Sequence, residues 1–200
     1  VETVEKTGLT LESLVLEPLA SGLAVLTPEE RKEGVVLVDI GGGTTDVVAF
    51  SKGRICYTTV IPVAGYQFTN DICHVYNTPF EAAEEAKLKY AHTTLHAVRQ
   101  HEEVSLPVVG STTELSVPRR DICQLMRERA QELMHLIKIR LQESPLEDIS
   151  KVKVVMTGGT ANLPGLQELA QQNLANRVRI GLPEGPGGIP DELRAPAYAT

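Results

Sequence analysis

Two rhythms of apolar residues run along this chain. Residues 35–40, 46–51 and 54–62 carry short apolar or alternating runs, and Ser51-Lys52-Gly53-Arg54 supplies a turn between the last two. These predict a three-stranded antiparallel meander. Upstream, residues 11–16 read as a strand. Glu17-Pro18 opens a helix to about Leu26, with proline in the first turn, where its missing N–H costs nothing. Residues 28–34 read as a charged loop. Downstream, a helix is predicted from about Tyr66 to Tyr76. Asn77-Thr78-Pro79 punctuates it, with Thr78 as N-cap of the next helix, 79–91.

Residues 92–117 are polar, with short alternating runs at Val104–Val109 and Glu114–Val117 that suggest a small hairpin. A long amphipathic helix follows from Pro118 to about Glu143. Its apolar face is Ile122, Leu125, Met126, Leu133, Leu136, Ile137 and Leu141. A strand at 152–156, a helix at 163–174, a short strand at 177–181 and a Gly/Pro-rich loop at 182–196 close the chain. The order is βββα, an inserted helix–hairpin–helix, then βαβ. It predicts an α/β layer of RNase-H-like arrangement, with residues 78–145 standing beside it as an inserted α+β subdomain.

The chemistry concentrates at two strand ends. Val36-Leu-Val-Asp39-Ile-Gly41-Gly42-Gly43-Thr44-Thr45-Asp46 reads as a tight hairpin whose tip is open to an anion, because glycine amides can face a ligand with no Cβ in the way. Asp39 is placed to hold a hydrated divalent cation; a carboxylate that merely caps the turn is the alternative. Far downstream, Val152–Met156 ends at Thr157-Gly158-Gly159-Thr160 before a helical run. Strand, Gly-Gly, helix is how backbone approaches a nucleoside or phosphate, though it also makes an ordinary helix cap.

Composition narrows the classes. A net charge of −7 gives no overall field for nucleic acid or an anionic membrane. With three Phe, five Tyr and no Trp, the core must be built from Val, Leu, Ile and Ala. Cys56, Cys73 and Cys123 have no paired spacing and read as reduced, buried thiols. His92, His96 and His101 lie close together without a supporting carboxylate pattern, which argues against a metal site. No apolar run nears the length of a membrane span. The absence of an initiating Met, and the helix-like opening at Pro196–Thr200, read as a piece of a longer protein.

The residues resemble the superfamily of actin, sugar-kinase and heat-shock-chaperone ATPases. Asp39–Asp46 is similar to its second phosphate motif, Thr157-Gly-Gly-Thr-Ala-Asn-Leu-Pro-Gly165 to its adenosine motif, and Glu17-Pro-Leu-Ala-Ser21 to the segment crossing between its two domains. Ala83-Glu-Glu-Ala-Lys87 is similar to the helix that meets adenine and ribose. Within the superfamily, Leu16–Ser21, Val60-Ile-Pro-Val-Ala-Gly65, Thr69-Asn-Asp-Ile72, Arg179-Ile-Gly-Leu-Pro183 and Pro196–Thr200 resemble the FtsA family of bacterial cell-division actin homologues. The rod-shape actin MreB typically has Gly-Asp-x-Phe-Asp where this chain has Gly65-Tyr-Gln-Phe-Thr-Asn-Asp71. An MreB-like or PilM-like homologue, or a superfamily ATPase or kinase, is the alternative.

The resemblance implies the second half of such a molecule. Residues 1–27 would be the end of domain 1 and the crossover helix. Residues 28–77 and 146–200 would be subdomain 2A, and 78–145 subdomain 2B. It implies ATP and Mg²⁺ as cofactors, with slow turnover at most. Asp39 would hold Mg²⁺ through water. Gly41, Gly42, Gly43, Thr44 and Thr45 would meet the phosphates, and Gly158, Gly159 and Leu163 would flank the adenosine. Glu84 and Lys87 would approach the base and ribose; without the resemblance they read as a solvated helix face. Glu17 would position the attacking water, and Asp46 would orient the hairpin.

The resemblance also implies partners. The tail of the division tubulin FtsZ would dock on 78–145, with Arg119 and Arg129 as candidate contacts, and like copies would associate into filaments. The whole protein would lie in the cytoplasm at the inner face of the cell membrane, held by a segment outside this chain, with no role for nucleic acid.

Overall fold

A computed structural model describes residues 2–146, 151–175, 177–184 and 189–199. Its centre is β1 (Val35–Ile40), buried on both faces along its whole length. β2 (Thr45–Ser51) and β3 (Arg54–Ile61) follow as antiparallel neighbours. β6 (Lys153–Thr157) lies parallel to β1 on its other side, and β7 (Val178–Ile180) parallel to β6, giving the order β3-β2-β1-β6-β7. This is the predicted meander plus resumed βαβ. Lys52 and Gly53 both take positive φ in the turn joining β2 to β3, the geometry that a right-twisted hairpin needs.

Period-two alternation sorts the sheet into two cores. Val36, Val38, Ile40, Val47, Ala49, Val154 and Met156 face a large core shared with α4 (Gly65–Tyr76), α6 (Arg119–Gln142) and α7 (Leu166–Asn173). Val35, Leu37, Val48, Phe50 and Val155 face a smaller core closed by Val25 and Leu26 at the end of α2 (Glu17–Val25). α2 can press against the sheet because a Cβ at Gly22 would sit 2.6 Å from the Phe50 ring.

The insertion begins with α5 (Phe80–Tyr90). It continues through the β4 (Glu103–Pro107) and β5 (Glu114–Pro118) hairpin into α6. Val104, Leu106 and Val117 from the hairpin join the large core. The predicted face of α6 is confirmed and widened: Cys123, Ala130 and Met134 are buried with it, while Leu125 and Leu136 flank it.

Five local readings are corrected. Residues 11–16 pair with no strand among the described residues, and Leu14, Val15 and Leu16 are exposed; apolar alternation without a ladder partner leaves irregular chain before α2, with α1 (Glu2–Glu5) and a turn upstream of it. Residues 28–33 form a helix, α3 (Pro28–Glu33). Thr27 accepts from the Glu30 amide while the Glu30 carboxylate accepts from the Thr27 amide, a reciprocal cap. Thr78 is not the N-cap of α5; Pro79 occupies that position, and the buried Thr78 hydroxyl has no hydrogen-bond partner among the described residues. The helix expected from Leu163 starts at Leu166, after a 3₁₀ turn at Gly159–Asn162. Cys56, expected to be buried, is exposed on β3, where the strand's second face meets solvent. Part of the closing loop, 185–188, lies outside the described residues.

Candidate functional site

The β1–β2 tip, the start of α4 and the loop after β6 meet at one point. Gly41 N–H closes the tip by donating to Thr44 O at 3.0 Å. The carbonyl of Gly41 accepts from Gly65 N–H at 3.1 Å and from the Thr160 hydroxyl at 2.8 Å; the carbonyl of Gly42 accepts from Tyr66 N–H at 2.6 Å. The amides of Gly42 and Gly43 take no part in these bonds, and both Cα atoms face open space.

Glycine is required where backbones touch. A Cβ at Gly65 would lie 2.6 Å from Thr160 Oγ1. Gly158 has φ +87°, and a Cβ there would lie 2.4 Å from Ile40 O and 2.5 Å from Asp39 Oδ1. The second glycine motif therefore packs directly against the end of β1.

These segments border a cleft of about 690 Å³, within the range usual for small-molecule sites. Gly41–Gly43, Gly65, Gly159, Thr160, Leu163 and Pro164 line it, and α5 contributes Glu84 and Lys87. Lys87 Nζ donates to Thr69 Oγ1 at 2.9 Å and to Gly65 O at 3.3 Å, and pairs with Glu84 at 2.7 Å; Thr69 in turn donates to Glu84. That network ties α5 to the first turn of α4 and fixes both charges at the cleft wall.

Asp39 lies behind the tip rather than on the lining. It is 7% exposed, accepts from Ser21 Oγ at 2.8 Å, and stands opposite Asp46 across the β1–β2 ladder. Burial, and then the Asp39 charge, push the Asp46 carboxyl above its ordinary range. Two carboxylates and a hydroxyl form an oxygen-rich set that suits a hard, hydrated cation such as Mg²⁺. Thr45 turns away from the cleft: it is buried and donates to Val63 O at 2.7 Å. Thr44 donates to Asp46 at 3.4 Å. Glu17 is exposed on the first turn of α2, one turn before Ser21, and is not among the lining residues.

The two candidate arginines are held by the fold. Arg129 makes two bonds of 2.7 Å to Asp71 of α4 and also pairs with Glu132. Arg119 donates to Tyr90 O at 2.7 Å and to Glu102 at 2.8 Å, and the Glu102 bond raises its pKa. The cleft also contains residues that the glycine patterns did not single out, chiefly Tyr66, Phe80 and Leu88. Tyr66 directly follows Gly65, and Phe80 follows Pro79, so motif-flanking positions were the available signal.

The fold is that of actin-type ATPases. The structure of Spiroplasma citri MreB5 bound to ADP superposes with a TM-score of 0.73 over 90% of this chain and 58% of that one, at 23% identity. The family model for "Cell division protein FtsA" matches residues 36–200, and the chain belongs to that family of cell-division proteins. The Pseudomonas aeruginosa FtsA protein is 40% identical over 197 residues, covering 98% of this chain and 47% of the relative. That of Escherichia coli K12 is 36% identical over 207 residues, covering 100% of this chain and 49% of the relative. The chain thus spans about half the length of these relatives.

Proposed function

We propose that this chain is the nucleotide-gripping second half of an FtsA-type actin homologue that binds ATP with Mg²⁺. The observation carrying the proposal is the meeting of the two glycine loops through Thr160 and Gly41 on a single cleft, with Glu84 and Lys87 on its wall. Residues 28–77 and 146–200 form subdomain 2A, residues 78–145 subdomain 2B, and residues 1–27 the end of domain 1 with its crossover helix.

In this reading Gly41, Gly42, Gly43 and Thr44 hold the phosphates through their amides, with Thr45 bracing the hairpin from behind. Gly158, Gly159 and Leu163 border the adenosine. Asp39, steadied by Ser21, holds Mg²⁺ through water, and the ion neutralises phosphate charge. Glu17 orients water near the terminal phosphate, with slow turnover at most. ATP acts chiefly as a conformational ligand.

The whole protein would polymerise and link FtsZ to the inner face of the cell membrane, through a membrane-binding segment elsewhere in the protein. No described helix is long and apolar enough to cross a membrane. The FtsZ tail would dock on residues 78–145, where Arg119 and Arg129 supply positive charge. Because Arg129 is already clasped by Asp71, an acidic tail must compete with that carboxylate.

The competition gives a signed test. A pull-down with FtsZ tail peptide should succeed, Arg129→Glu should weaken it, and Asp71→Asn should leave it equal or stronger. Equal binding by wild type and Arg129→Glu, with both folded by circular dichroism, rejects the docking assignment.

A further inference from the structure

Residues 92–94 leave the end of α5 and cross to the loop after β6. The buried Thr93 donates its amide to Pro164 O at 2.9 Å and its hydroxyl to the same carbonyl at 3.4 Å. Arg127 of α6 donates to Thr93 O at 3.1 Å. A Cβ at Gly165 would lie 2.5 Å from Thr93 Oγ1 and 2.7 Å from Thr94 Oγ1, so the two segments are in direct contact. Leu163 and Pro164 line the cleft. A strap from the insertion therefore grips the cleft wall.

One bond inside the strap sets its shape. The Thr94 amide donates to Nδ1 of His92 at 2.9 Å. Nδ1 can accept only while it keeps a lone pair, which the neutral ring has and the imidazolium lacks. The half-buried ring is faced by Arg119 of α6, by Glu168 of α7 and by His96 of the 3₁₀ turn Leu95–Ala97, while the Cys123 thiol of α6 meets the His92 backbone. Burial, and then the Arg119 charge, push the ring below its ordinary value of 6.5; His96 adds to this and Glu168 opposes it.

We propose that residues 92–94 are a pH-sensitive latch: neutral His92 keeps the strap folded onto Pro164, and the imidazolium releases it and loosens the cleft wall. The latch is a property of the two segments; its effect on a ligand rests on the nucleotide reading of the cleft. In the closed strap His92 resists protonation, and in the released strap it does not. The closed form is therefore complete above about pH 6.5 and is lost as the pH falls below it. Losing one hydrogen bond of this kind is expected to change affinity at the wall about fivefold.

The test is an NMR titration of the chain from about pH 7.5 to about pH 5.5, the span over which an imidazole charges. In wild type, the amides of Thr93, Thr94 and Leu163 should move together with the His92 ring, with a midpoint below 6.5. His92→Asn keeps an acceptor for the amide two residues on and does not titrate, so its amides should stay at their neutral positions. His92→Ala lacks the acceptor and should show the released positions throughout, with its fold checked by circular dichroism. If the ring and Thr94 titrate while Leu163 stays still, the latch does not reach the cleft and the proposal is overturned. It is also overturned if His92→Asn titrates like wild type. Mg·ATP should weaken on acidification about fivefold more in wild type than in His92→Asn, a comparison that cancels protonation of the ATP itself. Equal weakening in the two refutes control of the cleft. If neither protein binds Mg·ATP at any pH while the three amides titrate as expected, the nucleotide reading fails and the latch stands.

Discussion

The hydroxyl of Thr160 donates to the carbonyl of Gly41 at 2.8 Å, across 119 positions of sequence. Through this bond the two glycine loops become one structure. Gly65 shares the same carbonyl, so the hairpin tip is fastened from both α4 and the loop after β6.

Thr160→Val keeps the side chain's shape and removes the bond. Gly41 O retains Gly65 N–H, so the loss should be about 1 kcal/mol in urea unfolding. Amide exchange at the hairpin tip should rise. Unchanged exchange there would show that Gly65 suffices to hold it.

Gly158→Ala should cost more than about 2 kcal/mol, because a positive φ is combined with backbone atoms in the way of the new methyl. Gly53→Ala is the control: its φ is +76° but the space is open, so about 1 kcal/mol is expected. Equal losses in denaturant would mean that backbone conformation alone, and not the contact with Ile40 and Asp39, sets the requirement at Gly158.

Acid should release the α3 corner. Burial alone would raise the Glu30 carboxyl, but hydrogen bonds from Arg179 (2.6 and 2.9 Å) and Lys153 outweigh it and hold the pKa at about 2, below an ordinary value of 4.5. The folded value is depressed, so this stability is complete above about pH 4.5. It is lost as the pH falls through 2. On the order of 2 kcal/mol should disappear in that window, and Glu30→Gln should flatten it. A variant with the wild-type acid slope would remove Glu30 from the account.

ATP binding by this chain alone should be weak, since we assign the opposite jaw of the cleft to the other half of the protein. Titration calorimetry should give a dissociation constant well above micromolar. Micromolar affinity would mean that the described walls suffice.

Much of this architecture could be read from residue order. Both-face burial of β1 follows from Val35–Val38, and the face of α6 from its apolar spacing. The glycine motifs marked both cleft loops, because backbone approach leaves few substitutes for glycine. The Thr27–Glu30 cap was also written in the chain, as a Thr-Pro-Glu-Glu signature, yet the surrounding charge suggested a loop. Residues 11–16 show the opposite case: local alternation favoured a strand, but strands exist only where a neighbour accepts their hydrogen bonds.

What the sequence by itself determined was most of the elements and the family, since periodicity and turn chemistry act between near neighbours. Tertiary structure decided which side chains share a space. It committed Arg129 to Asp71, turned Thr45 into the interior and set Tyr66 against Phe80. Those outcomes depend on packing between elements distant in the chain, where direction and distance are fixed only once the sheet and helices have closed on each other.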